Sequence, residues 1–323
     1  MTDIRYTYAV ARIRALEVSL FNKAAIDQLM ACETEQQCLQ FLSEKGWGDV
    51  NASLDVEAMM ECEEAKIWKV MEEVAVDMSV FDVLSYPNLF HNLKAAIKEV
   101  CTETENPGIF YDDCSISGAE MLDIVRKKEF SRLPANMVAV AQEAYDTLLH
   151  TRDGQLCDVI IDKATLDAVY AAGKAAKDDI VRDYAESTVA IADIKIAVRS
   201  QKTGKSLDFM KRAMAECNSI SVDQLSKAAL SGADAIREYL MGTAYSEGAK
   251  ALDESSSAFE RWCDNRMMQT MQPQKYESFS VGPLFAYVLA RENEIKTIRI
   301  ILSGKQNGFS DEAIRERVRE MYV

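Results

Sequence analysis

Proline, glycine and histidine are scarce in this sequence. Among its 323 residues there are only 5 Pro, 13 Gly and 2 His. Because proline and glycine are the residues that interrupt regular structure, long segments run without a break, and residues that favour helices fill them. No segment shows the sustained alternation of apolar and polar residues that is typical of a strand. We therefore predict an all-α fold.

Basic residues are also in deficit. The chain has 37 Lys and Arg against 52 Asp and Glu, which gives a net charge of −15. A protein that binds nucleic acid needs a basic surface to displace counterions from the phosphates, and binding to an anionic membrane surface needs the same. The charge therefore argues against nucleic acid and against a bare membrane as partners, while it suits a basic protein.

Long hydrophobic runs are absent. The longest nearly uncharged apolar stretch is Val281–Ala290, whereas a membrane-spanning helix needs about 20 such residues. The first five residues, Met1–Arg5, lack the apolar core of a signal peptide. We expect a soluble, cytoplasmic protein that reaches a membrane only through other proteins.

Residues for metal or covalent chemistry are few and scattered. His91 and His150 are far apart, and the 8 cysteines contain no C-x-x-C pair, which favours reduced, packed thiols. Thr203–Ser206 looks like the end of a phosphate-binding loop, but Arg199 stands where that loop requires glycine. No nucleophile-elbow signature occurs. We expect no cofactor, no metal and no catalytic site.

A short motif recurs at a period of about 100 residues. It appears as Asn92–Lys98, as Asp193–Arg199 at an offset of 101, and as Glu294–Arg299 after a further 101. Evenly spaced copies indicate one supersecondary unit that is used three times. Repetition of this kind builds surface and shape rather than a single reactive pocket, so it is typical of scaffolds and adaptors.

Local signals place helix ends around the motifs. Ser117 and Ser221 each begin a capping box, and Ser310 precedes the last helix. Gly204 and Gly304 follow the second and third motif helices and are predicted to end them as C-cap glycines.

Two long helices and one turn are predicted from hydrophobic periodicity and from residues that interrupt helices. Tyr6–Leu29 is predicted to be one amphipathic helix, and Ile161–Asp183 another long one. A turn at Tyr86–Asn88 is expected to precede the first motif helix, since proline disfavours a helical residue before it.

Each motif copy carries two basic residues beside its apolar stripe. The three pairs are Lys94 and Lys98, Lys195 and Arg199, and Lys296 and Arg299. In an acidic protein, cations at equivalent positions are candidates for a partner-binding surface. The alternative is that they pair with local carboxylates such as Glu292, where exposed ion pairs contribute roughly 0–1 kcal/mol. Arg12 and Arg14 on the first helix are further candidates.

The sequence resembles the C subunit of V-type and A-type ATPases, a family whose eukaryotic members are called d subunits. The resemblance is closest over Gly282–Gly308, and Tyr8–Glu17 is similar to the family's opening. The two inner motif copies look like the family's recurring helices, although Leu89–His91 replaces the Tyr-Asp that usually precedes the first.

This resemblance implies an architecture. Members are all-helical, with three similar domains in a funnel of pseudo-threefold character. On this chain the domains would be residues 1–124, which include the N-terminal helix, residues 125–225 and residues 226–323.

The resemblance also implies a function. Such proteins are non-catalytic parts of the rotor on the cytoplasmic face of the membrane. They join the central shaft to the membrane rotor ring, so that ATP hydrolysis or synthesis is linked to proton or sodium transport. The shaft subunits and the ring would be the partners, and the basic residues named above would face the shaft or join domains. The alternatives are a free-standing helical-repeat adaptor and an α-helical enzyme with a deep pocket.

Overall fold

The computed structural model describes residues 5–49, 55–74, 77–106 and 108–323. Over these ranges all regular structure is helical, which confirms the all-α prediction. The α-helices are, in chain order, α1 (Arg5–Glu17), α2 (Lys23–Met30), α3 (Glu35–Glu44), α4 (Val56–Glu73), α5 (Asp82–Thr102), α6 (Gly118–Lys127), α7 (Ala135–Thr151), α8 (Gly154–Ala175), α9 (Asp179–Thr203), α10 (Leu207–Ala213), α11 (Val222–Ser231), α12 (Ala233–Met241), α13 (Ser246–Glu254), α14 (Ser256–Met271), α15 (Gly282–Gln306) and α16 (Asp311–Arg315). Short 3-10 helices occur at Met78–Phe81, Phe130–Arg132 and Gln272–Tyr276.

The chain divides into two compact units. Unit 1 combines residues 1–79 with residues 247–323, and unit 2 is residues 80–246. The first two motif copies lie on α5 and α9 in unit 2, and the third lies on α15 in unit 1. The division into three domains, residues 1–124, 125–225 and 226–323, stays a prediction from the sequence repeat.

Helix α15 forms the centre of unit 1. It packs against α1, α3, α4 and α14, and every residue from Gly282 to Arg291 is buried. The apolar stretch that is too short for a membrane span is therefore the core of this unit. None of the described helices has the length and apolar character needed to cross a membrane.

Helix α8 forms the centre of unit 2. It packs against α5, α7, α9 and α10, and its buried residues Cys157 and Ile161 join a core that includes Leu93 and Ile97 of the first motif helix. Near its C-terminus α8 approaches α9 very closely, because a Cβ atom added at Gly173 would lie 2.2 Å from the Cβ of Ala185.

The predicted N-caps are confirmed. Ser117 Oγ accepts a hydrogen bond from the backbone N–H of Glu120 at 3.2 Å. Ser221 and Ser310 make the equivalent bond to the third residue beyond them, at 3.4 Å and 3.3 Å. Each bond satisfies one of the backbone donors that a helix leaves unpaired at its start.

One of the two predicted C-cap glycines is confirmed and the other is wrong. Gly204 ends α9 with φ of 64°, in the left-handed region. Gly304 is instead a buried residue inside α15, where an added Cβ would lie 2.5 Å from Ile314. The helix continues for two more residues, to Gln306, and Gly308, with φ of 65°, takes the left-handed position. Close packing, rather than backbone conformation, is the reason for glycine at 304.

The long helices predicted over Tyr6–Leu29 and Ile161–Asp183 are each interrupted. The first breaks at residues 18–22, where Asn22 caps α2 and the backbone N–H of Phe21 donates to the buried carboxylate of Glu294. The second breaks at residues 176–178, where the Arg182 guanidinium binds two backbone carbonyl oxygens. In the first case, a local cap and one hydrogen bond to a distant side chain interrupt a continuous amphipathic pattern.

The turn predicted at Tyr86–Asn88 is also wrong, because α5 begins at Asp82 and runs through Pro87. Val83 before the proline and Leu89 and Phe90 after it are all buried. Their burial offsets the hydrogen bond that proline cannot donate, so packing decides the local structure.

We predict that Gly173→Ala destabilises unit 2 by about 1–3 kcal/mol, because the added methyl group has no space between α8 and α9. Gly154→Ala on the same helix is the control, since no atom lies within 4 Å of its added Cβ. Urea denaturation followed by circular dichroism measures both, and equal free energies of unfolding would contradict the close packing.

Candidate functional site

The first motif helix buries the polar residue with which the motif begins. Asn92 on α5 is fully buried. Its amide Nδ2 donates to the carbonyl oxygen of Tyr111 at 2.9 Å, and its Oδ1 accepts the backbone N–H of Tyr111 at 2.9 Å. Asn92 therefore satisfies both backbone groups of one residue and fixes the loop that follows the helix.

The second motif helix has a carboxylic acid at the equivalent position. Asp193 on α9 is fully buried, and its Oδ1 accepts the backbone N–H of Ala215 at 3.1 Å. Its Oδ2 has no hydrogen-bond partner among the described residues. Burial raises the pKa of Asp193 to about 8. The acid is therefore mostly neutral at pH 7, like the amide of Asn92.

On the third motif helix, two neighbouring buried residues bind backbone groups of other segments. Asn293 on α15 is buried and donates from its Nδ2 to the carbonyl oxygen of Glu320 at 2.9 Å. Glu294 is buried and accepts the backbone N–H of Phe21. Asn92, Asp193 and Glu294 are the first residues of the three motif copies. A polar residue at this position of each copy is the sequence signal for a buried side chain that binds a distant backbone group, and the sequence prediction covered only the basic residues.

A buried ion cluster surrounds Glu294 in unit 1. The Arg291 guanidinium binds the carboxylates of both Glu294 and Glu63, and all three side chains are buried. Glu63 also accepts the backbone N–H of Gly48 at 2.8 Å. The indole of Trp47 lies 4.9 Å from the guanidinium carbon, which adds a cation–π contact. The cluster ties α15 to α4 and to two loops.

The basic pair of the first motif forms ion pairs inside unit 2. Lys94 lies 2.6 Å from a carboxylate oxygen of Asp162, and Lys98 lies 2.6 Å from one of Asp158. Both acids are on α8, so the pair joins α5 to its main neighbour. At this position the structure favours pairing with carboxylates of the same unit.

The basic pairs of the other two motifs are arranged differently. On α9, Lys195 is half-buried, whereas Arg199 is exposed and forms no ion pair with any residue that the structure describes. On α15, Lys296 binds Asp264 at 2.7 Å, and Arg299 binds Glu57 at 2.7 Å. These two ion pairs connect α15 to α14 and to α4.

The two arginines of α1 contact other parts of unit 1. Arg12 is exposed, and its guanidinium lies 3.8 Å from Glu73. Arg14 binds Glu17 and also donates to the carbonyl oxygens of Gln274 and Glu277, each at 2.7 Å. Arg14 therefore holds the segment that precedes α15.

Five of the eight basic candidates form short ion pairs with acids of their own unit. These five are Arg14, Lys94, Lys98, Lys296 and Arg299. Their assignment to a partner surface stays a prediction. Across the part of the chain that the structure describes, no group of three or more His, Cys, Asp and Glu side chains is placed to hold a metal ion.

Four of the eight cysteines are packed in the interior, and the other four are partly buried. Cys38, Cys101, Cys157 and Cys263 are buried, and none of the eight is in a disulfide. Burial raises the pKa of Cys157 to about 11 and that of Cys38 to about 12, so neither forms a thiolate at neutral pH.

We predict that Asp193→Asn flattens the dependence of stability on pH. The folded chain keeps a proton on Asp193 that the unfolded chain loses near pH 3.8, so the free energy of unfolding falls as pH rises from about 4 to about 8. The variant lacks this titration. Chemical denaturation at several pH values measures the slope, with Asp208→Asn, an exposed acid of the same unit, as the control. An unchanged slope in Asp193→Asn would show that the buried acid is ionised.

We predict that Arg291→Met lowers the free energy of unfolding by about 3–5 kcal/mol, because it leaves Glu294 as a buried carboxylate without a cation and leaves Glu63 with Lys66 alone. Lys250→Met is the control, since it removes an exposed ion pair with Glu247 in the same unit. Thermal and urea unfolding measure both variants. If both variants lost a similar free energy of unfolding, the buried cluster would contribute no more to stability than an exposed ion pair.

Comparison with known proteins gives a single family. Residues 9–317 match the family described as ATP synthase (C/AC39) subunit. The chain is 22% identical over 317 residues to the C subunit of the V-type sodium ATPase of Enterococcus hirae, covering 96% of this chain and 97% of that protein.

Archaeal relatives match over similar lengths. The C subunit of the A-type ATP synthase of Methanocaldococcus jannaschii is 20% identical over 346 residues, covering 96% of this chain and 85% of that protein. The protein of the same name from Methanobrevibacter smithii is 23% identical over 340 residues, covering 96% and 87%. Because the family match spans nearly the whole sequence, this chain belongs to the ATP synthase (C/AC39) subunit family.

Proposed function

We propose that this chain is the rotor component that couples the central shaft of a rotary ATPase to the membrane rotor ring. In this role it links ATP hydrolysis or synthesis to proton or sodium transport and has no catalytic site of its own. One observation carries the proposal: the family match runs from residue 9 to residue 317, and relatives named as the C subunits of such ATPases align over most of their length.

The internal construction of both units suits the transmission of torque. A coupling element must not deform under load, and a densely packed interior transmits strain rather than absorbing it. Asn92 and Asp193 attach loops to the motif helices of unit 2 through buried hydrogen bonds. In unit 1 the Arg291 cluster does the same through buried ion pairs.

The proposal includes the threefold arrangement. One motif helix would fall in each domain of a funnel made from residues 1–124, 125–225 and 226–323. The repeat of buried polar residues at 92, 193 and 294 supports this division, because it is a structural repeat as well as a sequence repeat. The chain would lie on the cytoplasmic face of the membrane, held there by the shaft and the ring.

The eight basic residues remain the proposed contacts to the shaft or between domains. They are Arg12, Arg14, Lys94, Lys98, Lys195, Arg199, Lys296 and Arg299. Arg199 is the strongest member, because it is exposed and makes no ion pair with a described residue of its own chain.

Restoration of coupling tests the proposed function. The cognate ATPase complex lacking this protein is reconstituted into vesicles, and ATP hydrolysis and ion uptake are measured with and without the purified chain. We expect the chain to restore ATP-driven ion uptake, because it supplies the connection from shaft to ring. The Lys227→Met variant, which alters an exposed surface pair, should restore it equally.

The free-standing adaptor is the alternative function. It predicts that the chain leaves ion uptake at the level of the incomplete complex while it captures other proteins. Failure to restore uptake by a chain that is folded and bound to neither shaft nor ring would reject the rotor proposal.

A further inference from the structure

Unit 2 has a cleft at the C-terminal end of its second motif helix. Its volume is about 350 Å³, and it lies between α8, α9 and α10. Arg199 and Thr203 of α9 line one side, and Phe209 of α10 lines another. The Lys205 ammonium lies 5.0 Å from the centre of the Phe209 ring.

Unit 1 has a cleft at the corresponding end of α15. Its volume is about 280 Å³. Arg299 and Ser303 of the motif helix line it, together with Phe309 and Arg317 from the segment that follows. The guanidinium carbon of Arg317 lies 5.5 Å from the centre of the Phe309 ring. Both clefts therefore combine an arginine, a hydroxyl group one turn later, and a phenylalanine with a cation over its face.

The same turn builds both clefts, although α15 continues for two residues beyond Gly304, the glycine that corresponds in sequence to Gly204 at the end of α9. After α9, Gly204 is left-handed and the N–H of Lys205 binds the carbonyl of Ser200 at 3.0 Å. After α15, Gly308 is left-handed and the N–H of Phe309 binds the carbonyl of Gly304 at 2.9 Å. Phe309 thus follows its left-handed glycine in unit 1 as Lys205 does in unit 2. Each cleft nevertheless has a cation over a phenylalanine ring.

The charge of the unit 2 cleft selects an anionic ligand. This cleft contains two acids, Asp158 and Asp162, and each is neutralised by a lysine of α5. Arg199 and Lys205 then leave an excess of positive charge there.

The cleft of unit 1 has the same sign of charge. The residues that line it include three cations and no carboxylate. Lys296 and Arg299 pair with acids outside this lining, which leaves the exposed Arg317 beside the Phe309 ring to meet a ligand. In a chain of net charge −15, two equivalent cationic clefts are a clear departure from the overall charge.

We propose that each cleft binds a protein segment that presents a carboxylate next to an apolar side chain. The carboxylate would bind Arg199 or Arg317, since guanidinium and carboxylate form strong charge-assisted hydrogen bonds. The apolar side chain would pack on Phe209 or Phe309, and Phe309 is 46% exposed. Volumes near 300 Å³ are at the small end for ligand pockets, which fits one or two side chains rather than a cofactor.

The inference rests on the proposed function for the source of this segment, a neighbouring subunit of the ATPase complex. It is tested by photo-crosslinking in the assembled complex. The photoreactive residue p-benzoylphenylalanine replaces Phe209 in one chain and Phe309 in another, and mass spectrometry identifies the attached peptides. We expect peptides of another subunit with Asp or Glu beside an apolar residue. Attachment only within the chain, to a second copy of it, or to segments without an acid would overturn the proposal.

Charge reversal provides a second readout. Arg199→Glu and Arg317→Glu should each weaken retention of the chain in the complex by about tenfold. Lys227→Glu and Lys250→Glu are the matched controls, because they make the same charge change at exposed sites of unit 2 and unit 1 outside the clefts. An acid-to-lysine change in the crosslinked segment should restore retention of the reversed variants. Equal retention of cleft and control variants would overturn the proposal.

The two proposals fail in different ways. If the wild-type chain neither enters the complex nor restores ion uptake, the proposed function is wrong. The wild-type chain could instead restore uptake while the crosslinks reach no acidic segment of another subunit and the cleft variants are retained as well as the controls. In that case only the proposed role of the clefts is wrong.

Discussion

The burial of polar side chains on the motif helices is the constraint on which the rest of this structure depends. A buried polar group without a partner costs about 1–3 kcal/mol, so Asn92, Asp193 and Glu294 each require a backbone group from another segment. The partners are Tyr111, Ala215 and Phe21. Meeting this requirement fixes the segments that follow the first two motif helices and, in unit 1, the break between α1 and α2.

Each motif copy contains two kinds of polar residue, a buried one at its start and two basic ones, and they have different roles. The buried residue is committed to the internal structure of its unit. The basic residues lie near the surface, where most form ion pairs with neighbouring helices and Arg199 remains available. The proposed rotor function needs both properties, because a coupling element must be internally stiff and must hold its partners through an exposed face.

Helix class and capping were predictable from the sequence because they depend on nearby residues. The serine caps and the left-handed Gly204 follow from contacts within a few positions. The break after α1 was not predictable in this way, since it depends on a bond from Phe21 to Glu294, 273 residues away. Gly304 was misinterpreted for a related reason, because its role is to admit the side chain of Ile314. The basic pairs were found readily, but their ion-pair partners on other helices were visible only in three dimensions.

A cryo-electron microscopy map of the cognate ATPase complex containing this chain tests the central claim most directly. The account predicts density for the chain between the tip of the central shaft and the membrane ring, in contact with both, and turning with them between rotational states. Density that stays with the stationary peripheral part of the complex, or that touches neither shaft nor ring, would contradict it.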